Sequence, residues 1–165
     1  MVIFDLDQTL ADTSAAHPLR LARKWDQVLR AVPSFPVFEG IHQLLSDLHD
    51  SGRPLAILTK NPDKIPRRFI ELHAWPITTV IGWHQVKNRK PHPEGLLLAM
   101  EKAGVGPEDT VHVGDDPNDT LASRAAGVTA VGAGWGLADV SALQVSKPDH
   151  LFRSVAELRE LLKLD

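Results

Sequence analysis

Asp5 and Asp7 stand two residues apart, directly after the apolar run Val2-Ile3-Phe4, where a buried strand has to end. Neighbouring carboxylates repel, and each is costly to bury without a partner. Three further polar groups follow β-rich runs and could compensate: Thr59-Lys60-Asn61, Lys90, and Asp115-Asp116 with Asp119 nearby. Clustered acids need a cation. With oxygen donors and no cysteine on offer, the natural one is Mg²⁺, which takes one or two carboxylates, waters and a phosphate oxygen. The Thr59 hydroxyl and the Lys90 ammonium suit the oxygens of a phosphoryl group. A carboxylate beside such a group can serve as its nucleophile.

The elements that would position these residues are legible as alternating patterns. Apolar, β-rich runs predict strands at 2–5, 55–59, 78–81, 110–113 and 129–131, with a short sixth near 150–152. They lack polar alternation, as strands buried on both faces do. Between them, apolar residues at helical spacing predict helices over 14–30, 41–49, 63–73, 94–103, 118–126 and 155–163. Leu21, Trp25, Val28 and Leu29 form the stripe of the first, and Gly52 stops the second. The expected fold is therefore α/β: a Rossmann-like three-layer α/β/α sandwich with a mainly parallel sheet of about five strands. In such sheets ligands bind outside the carboxyl ends of the strands, where the acids, the hydroxyl and the lysine all fall.

Composition narrows the partners. The chain has 165 residues, enough for one domain with a core, and a formal charge of -3 that gives no general affinity for nucleic acid or anionic membrane. The absence of cysteine rules out disulfides, thiolate metal sites and cysteine nucleophiles. No apolar run approaches the ~20 residues of a membrane span. No basic stretch leads into an apolar one at the start, so a cytoplasmic location is expected.

Asp5-Leu6-Asp7-Gln8-Thr9 resembles the DxDxT signature of the haloacid dehalogenase-like superfamily. Leu58-Thr59 resembles its second motif, Lys90-Pro91-His92-Pro93 its third in the KPxP form, and Gly114-Asp115-Asp116-Pro117-Asn118-Asp119 its fourth, GDxxxD. The run on to Ala125-Ala126-Gly127-Val128 is similar to phosphoglycolate-phosphatase-like members. This resemblance implies a Mg²⁺-dependent phosphatase acting on a phosphomonoester through an aspartyl-phosphate. It implies Asp5 as nucleophile, Asp7 as general acid and base, Thr9 as a support for the turn, and Thr59 and Lys90 as phosphoryl ligands. Asp5, the Asp7 carbonyl, Asp115 and Asp119 would bind the metal, with Asp116 as a further candidate. Gln8 stands where the family usually has glycine, and Asn61 departs from the usual Thr-Asn-Lys order.

Members of this type usually carry a helical cap between the first two motifs. Here Asp5 and Thr59 are only 54 residues apart (59 − 5), which leaves roughly 13–38 for a reduced cap of one long helix and a turn within a single domain, 1–165. An open site follows, suited to a small or a macromolecular phosphorylated substrate, or to cover by an oligomer or partner. Arg20, Arg23, Lys24 and Arg30 on that helix form a basic stripe, which without aromatic interleaving is weak ground for nucleic acid. Trp83 and Trp135, which follow strand runs, would either stack on an aromatic substrate or pack in their loops.

Simpler readings exist for each motif. Asp5-x-Asp7 could cap a turn, and Asp115, Asp116 and Asp119 could cap the helix that follows. An EF-hand fails, because Leu10 and Ala16 stand where glycine and glutamate belong. A phosphotransferase or mutase would share every motif, and a scaffold that keeps the fold without turnover is the non-enzymatic rival.

Overall fold

The computed structural model describes residues 1–164. Among these residues the apolar runs form six strands: β1 (Val2–Phe4), β2 (Leu55–Leu58), β3 (Thr79–Ile81), β4 (Val111–Gly114), β5 (Thr129–Ala133) and β6 (His150–Phe152). They make one sheet in the order β3-β2-β1-β4-β5-β6, and every neighbouring pair is parallel. Parallel neighbours require crossovers, which are supplied mainly by α3 (Ile41–Asp50), α4 (Lys64–His73), α5 (Glu94–Ala103) and α6 (Pro117–Ala126), with α8 (Val155–Leu161) after β6. A short α7 (Ser141–Val145), which periodicity does not predict, precedes β6. The short sixth strand near 150–152 forms and pairs with β5 from Val131–His150 to Ala133–Phe152, which makes the sheet one strand wider than the expected five or so.

Successive residues of each central strand face opposite layers. Val2, Phe4, Leu55 and Ile57 pack with Leu44, Leu45 and Leu48 of α3, Phe69 of α4 and Leu158 of α8. Ile3, Ala56 and Leu58 pack on the other side with Leu96 and Ala99 of α5 and Ala122 of α6. That is the three-layer α/β/α sandwich. Burying one such large side chain contributes about 1.5–3 kcal/mol, so β1 is fixed on both faces before its polar continuation is considered.

The 13–38 segment departs from the single long helix expected. It forms a 3₁₀ turn at Ser14–Ala16, α1 (His17–Leu21), α2 (Trp25–Ala31) and a second 3₁₀ turn at Val32–Ser34. The chain breaks between the helices at Arg23, whose φ is +52°. The stripe explains why. Leu21 is 73% exposed, whereas Val28 is buried in the core with Trp25 and Leu29 packed against it. A second helix with its own direction can place Val28 and Leu29 inward while α1 stays over the strand ends. Among the described residues no helix is long and apolar enough to cross a membrane.

Candidate active site

The strand order reverses between β1 and β4, and the crevice at their carboxyl ends is the place where open α/β sheets bind ligands. Asp5 leaves β1 with its N–H donating to the Val113 carbonyl at 2.8 Å, and Asp115 leaves β4 beside it. Thr59 leaves β2 with its N–H on the Ile81 carbonyl at 3.0 Å. Lys90 comes from the loop between β3 and α5. Its ammonium lies 3.0 Å from Asp5 Oδ1 and 2.6 Å from Asp119 Oδ1, and donates to the Leu58 carbonyl at 3.1 Å.

This charged group is buried. Asp5, Lys90, Asp119 and Thr59 are all inaccessible or nearly so. Burial drives the Asp5 carboxyl up to about 7 against the pull of Lys90, with Asp119 and Asp7 adding to the rise. Burial, followed by repulsion from Asp5, pushes Asp115 up to about 8. Asp119 is held below the usual range: burial opposes this, but the attraction of Lys90 and then His112 prevails. Lys90 is held above its usual value, because Asp119 and Asp5 together outweigh desolvation.

Three acids therefore share one ammonium, and the surplus is the cost anticipated from the sequence. One oxygen from each of Asp5, Asp115 and Asp119 lies within 4.8 Å of the others, the spacing of a cation site. Asp119 Oδ1, although close to Lys90, makes no well-directed hydrogen bond. Hard, mutually repelling oxygens, two of them pushed toward protonation by burial, fit a divalent cation such as Mg²⁺.

Asp7 belongs to a different environment. Its Oδ1 accepts from the Thr13 hydroxyl and from Arg20 of α1 at 2.7 Å, and its Oδ2 accepts from Asn61 Nδ2 at 2.6 Å. The turn at Gln8 separates the two acids. Gln8 has φ +55°, a left-handed conformation that suits the glycine of the resemblance better. Its side chain compensates by accepting from the Thr13 N–H at 2.9 Å and donating to the Gly136 carbonyl at 3.2 Å. Gly136 has to be glycine here, since a Cβ would lie 2.1 Å from the Gln8 carbonyl oxygen. Trp135 donates its indole N–H to the Thr9 carbonyl at 2.9 Å, so this indole packs in its loop.

The remaining expected residues fall as follows. Thr9 is fully buried and donates to Asp115 Oδ1 at 3.1 Å, so its hydroxyl secures the acid of β4 as well as lying in the turn. Thr59 Oγ1 accepts from the Asn61 N–H and Nδ2 at 3.2 and 3.0 Å, which leaves its own proton free for a ligand. Asp116 is exposed and stands outside the three-acid group. Its carboxylate caps α6 by accepting from the Asn118 N–H at 2.8 Å. Asp119 completes this capping box by accepting from the Asp116 N–H at 3.1 Å. Gly114 lets Asp119 come under β4, where a Cβ would lie 2.3 Å from its carboxylate.

Two contacts were not foreseen. Asn61 and Arg20 hold Asp7, although nothing in the sequence ties either to it; the only local sign is an Asn two residues after a strand-end Thr.

Two cavities meet at this rim. A small one of about 150 Å³ is lined by Asp5, Asp7, Lys60, Lys90, Asp115, Asp116 and Asp119. A larger one of about 770 Å³ shares Asp7, Lys60 and Asp116 with it and runs beneath α1 and α2 toward Trp83 and His84. The short insertion thus lines one side of an open groove on the rim.

Fold and site together define a doubly wound α/β domain with an acidic, lysine-bridged centre at its switch point. Residues 15–133 match the model of the haloacid dehalogenase-like hydrolase family, and the chain belongs to that family. It is 35% identical over 158 residues to the phosphoglycolate phosphatase of Escherichia coli (strain K12), and 36% to that of Salmonella typhimurium. In both cases the match covers 93% of this chain, and the chain spans 63% of the relative's length. A hydrolase from Pseudomonas syringae superposes with a TM-score of 0.83 at 20% identity, covering 98% of this chain and 97% of that one. CbbY from Rhodobacter sphaeroides, solved in complex with phosphate, gives 0.81 at 19% identity, covering 95% of each chain. At these identities the structures attest the fold.

Proposed function

We propose that the chain is a Mg²⁺-dependent phosphatase that hydrolyses a phosphomonoester through an aspartyl-phosphate on Asp5. The observation that carries this reading is the division of labour between two carboxylates two residues apart. Asp5 is buried 3.0 Å from Lys90 in the three-acid group, while Asp7 is held apart by Thr13, Arg20 and Asn61. Family membership and the phosphatase relatives support the same reaction class.

Asp5 attacks phosphorus with one carboxylate oxygen, and the ester oxygen departs with a proton from Asp7. Asp7 then takes a proton from the water that cleaves the aspartyl-phosphate, so one group serves as acid and base in turn. Lys90 restrains Asp5 and offsets charge on the phosphoryl oxygens, and the free Thr59 proton is donated to one of them. Thr9 keeps Asp115 from rotating away. A bound Mg²⁺, held by Asp5, Asp115, Asp119 and the Asp7 main-chain carbonyl, would supply positive charge against the phosphate and the carboxylates. Residues 13–38 are a reduced cap on a single domain, 1–165, and Arg20 links that cap to the acid–base residue.

The test is hydrolysis of 4-nitrophenyl phosphate by the wild type and Asp5→Asn, with Mg²⁺ and with a chelator. Turnover is expected only in the wild type with Mg²⁺. A fully active Asp5→Asn, or turnover indifferent to the metal, would overturn the mechanism.

A further inference from the structure

We propose that the groove under α1 and α2 selects nucleotide-type phosphomonoesters, whose leaving alcohol carries a base-sized planar ring and a second phosphate. This rests on the phosphatase reading above and specifies its substrate class.

Size comes first. At about 770 Å³ the groove lies within the range of small-molecule sites of roughly 300–1,000 Å³, and it opens directly from the phosphoryl pocket at Asp7, Lys60 and Asp116. A two-carbon leaving group would fill only its inner corner. A nucleoside is of a size that a cavity of about 770 Å³ can hold.

The walls then narrow the chemistry. Two indoles line the groove from different parts of the chain: Trp25 from the insertion and Trp83 from the loop after β3. Trp83 is 38% exposed, and Leu21 at the same groove is 73% exposed, so apolar surface is kept open to solvent here. Trp83 is also pre-positioned. The Arg89 guanidinium stacks 3.6 Å from the ring centroid and donates to the Trp83 carbonyl at 3.1 Å. A fixed indole at the mouth of a phosphate site is a stacking platform, and stacking is indifferent to which base is offered.

The cations supply the second requirement. Arg20 is already engaged by Asp7, but Arg23 and Lys60 line the groove and have no carboxylate partner among the described residues. His17 and His84 stand at the same wall. Positive charge left unpaired on a chain of net charge -3 marks the place where an anion is attracted. A neutral aromatic alcohol would leave those cations unused, and a small anionic alcohol would leave the indoles unused. A ring bearing a further phosphate uses both. The reaction is ROPO₃²⁻ + H₂O → ROH + HPO₄²⁻: the ester P–O bond breaks, a P–O bond to water oxygen forms, and one water proton ends on the alcohol.

The test compares kcat/KM for adenosine 3′,5′-bisphosphate, adenosine 5′-monophosphate, fructose 1,6-bisphosphate and 2-phosphoglycolate. The bisphosphonucleoside should lead 2-phosphoglycolate by about 10–100-fold, as stacking of one base would give. Trp83→Ala should cost the two nucleotides about tenfold more than the two esters that lack an aromatic base. Arg23→Gln should erase the advantage of the bisphosphate over the monophosphate. Fructose 1,6-bisphosphate or 2-phosphoglycolate matching the nucleotides would overturn the inference and leave the phosphatase reading standing. So would a Trp83→Ala that slows all four esters equally, the mark of a merely structural indole. If not even 4-nitrophenyl phosphate is hydrolysed, the phosphatase reading falls instead. Calorimetric titration of adenosine 3′,5′-bisphosphate into Asp5→Asn then decides the groove: binding that Trp83→Ala weakens supports it, and no binding overturns it.

Discussion

The strand-end centre and the 13–38 insertion meet at Asp7, which takes an ion pair from Arg20 and a hydrogen bond from Thr13, yet they are built differently. In the centre Asp5, Thr59, Lys90 and Asp119 are buried, and Lys90 alone bridges Asp5, Asp119 and the Leu58 carbonyl. In the insertion α1 buries no residue and α2 buries only Val28, and its hold on the core comes from Ala16, Val32 and Phe35 in the turns outside these helices. Its second ion pair with the core, Lys64 with Asp26, is exposed. The charged groups of the centre are set at the sheet's carboxyl edge, where several neighbours hold them. The insertion's helices α1 and α2 are short and bury few side chains, so they can change at small cost to stability.

The largest effect expected on this contrast is on turnover. Asp5→Asn should lower kcat for an aryl phosphate by at least about a thousandfold while leaving the circular dichroism spectrum unchanged, since removing a member of a catalytic unit forfeits most of its effect. An insertion variant of equal severity would break the division of roles.

Next is stability of the centre. Lys90→Met leaves Asp5 and Asp119 buried without their ammonium, and removing one partner of a buried pair typically costs about 3–5 kcal/mol. Urea unfolding in chelator should show a loss of that order, and a loss below about 1 kcal/mol would mean that the centre is not over-determined.

The pH dependence tests the same surplus of acid. Asp5 and Asp115 titrate in the folded protein at about 7 and about 8, above their values in an unfolded chain. These two carboxyls bind more protons in the folded state from about pH 4 to about pH 8. Buried His112, lowered to about 4, binds fewer up to about pH 6.5 and opposes them there. The metal-free protein should therefore lose stability most clearly as pH rises from about 6.5 to about 8. Asp119, held low, acts only below this range, and Lys90, held high, only above it. Melting curves in chelator should fall from about pH 6.5 to about pH 8, and Mg²⁺ should flatten or reverse the slope. An unchanged slope with Mg²⁺ would count against a cation among these acids.

The smallest effects belong to the insertion. Arg20→Gln removes a part-exposed pair whose partner Asp7 keeps Thr13 and Asn61, so the loss should stay within about 1 kcal/mol. Asp26→Ser should leave the melting temperature unchanged, because its pair with Lys64 is exposed. A cooperative loss of the fold from either would show the insertion to be a structural part of the domain.

Much of this was legible in the sequence. Strand-length apolar runs and helical stripes placed five central elements to within a residue or two, because burial on both faces of β1, β2 and β4 leaves no other pattern. The polar residues that break those runs, Asp5, Thr59 and Asp115, had to emerge at the strand ends, where backbone pairing stops. Order along the chain then put Asp5, Asp7, Thr59, Lys90 and Asp119 on one rim. What spacing could not supply was which side chain meets which across that rim. The hold of Asn61 and Arg20 on Asp7 and the break at Arg23 depend on contacts between segments 13 to 54 residues apart or on the packing of Val28. The sequence by itself determined that two acids would leave the first strand toward a strand-end rim shared with Thr59, Lys90, Asp115 and Asp119. Only the tertiary structure decided that one would be buried with Lys90 and the other turned toward a groove. A turn at Gln8 and a bare glycine at 136 set that choice, and their fit appears only when residues 128 apart in the chain are brought together.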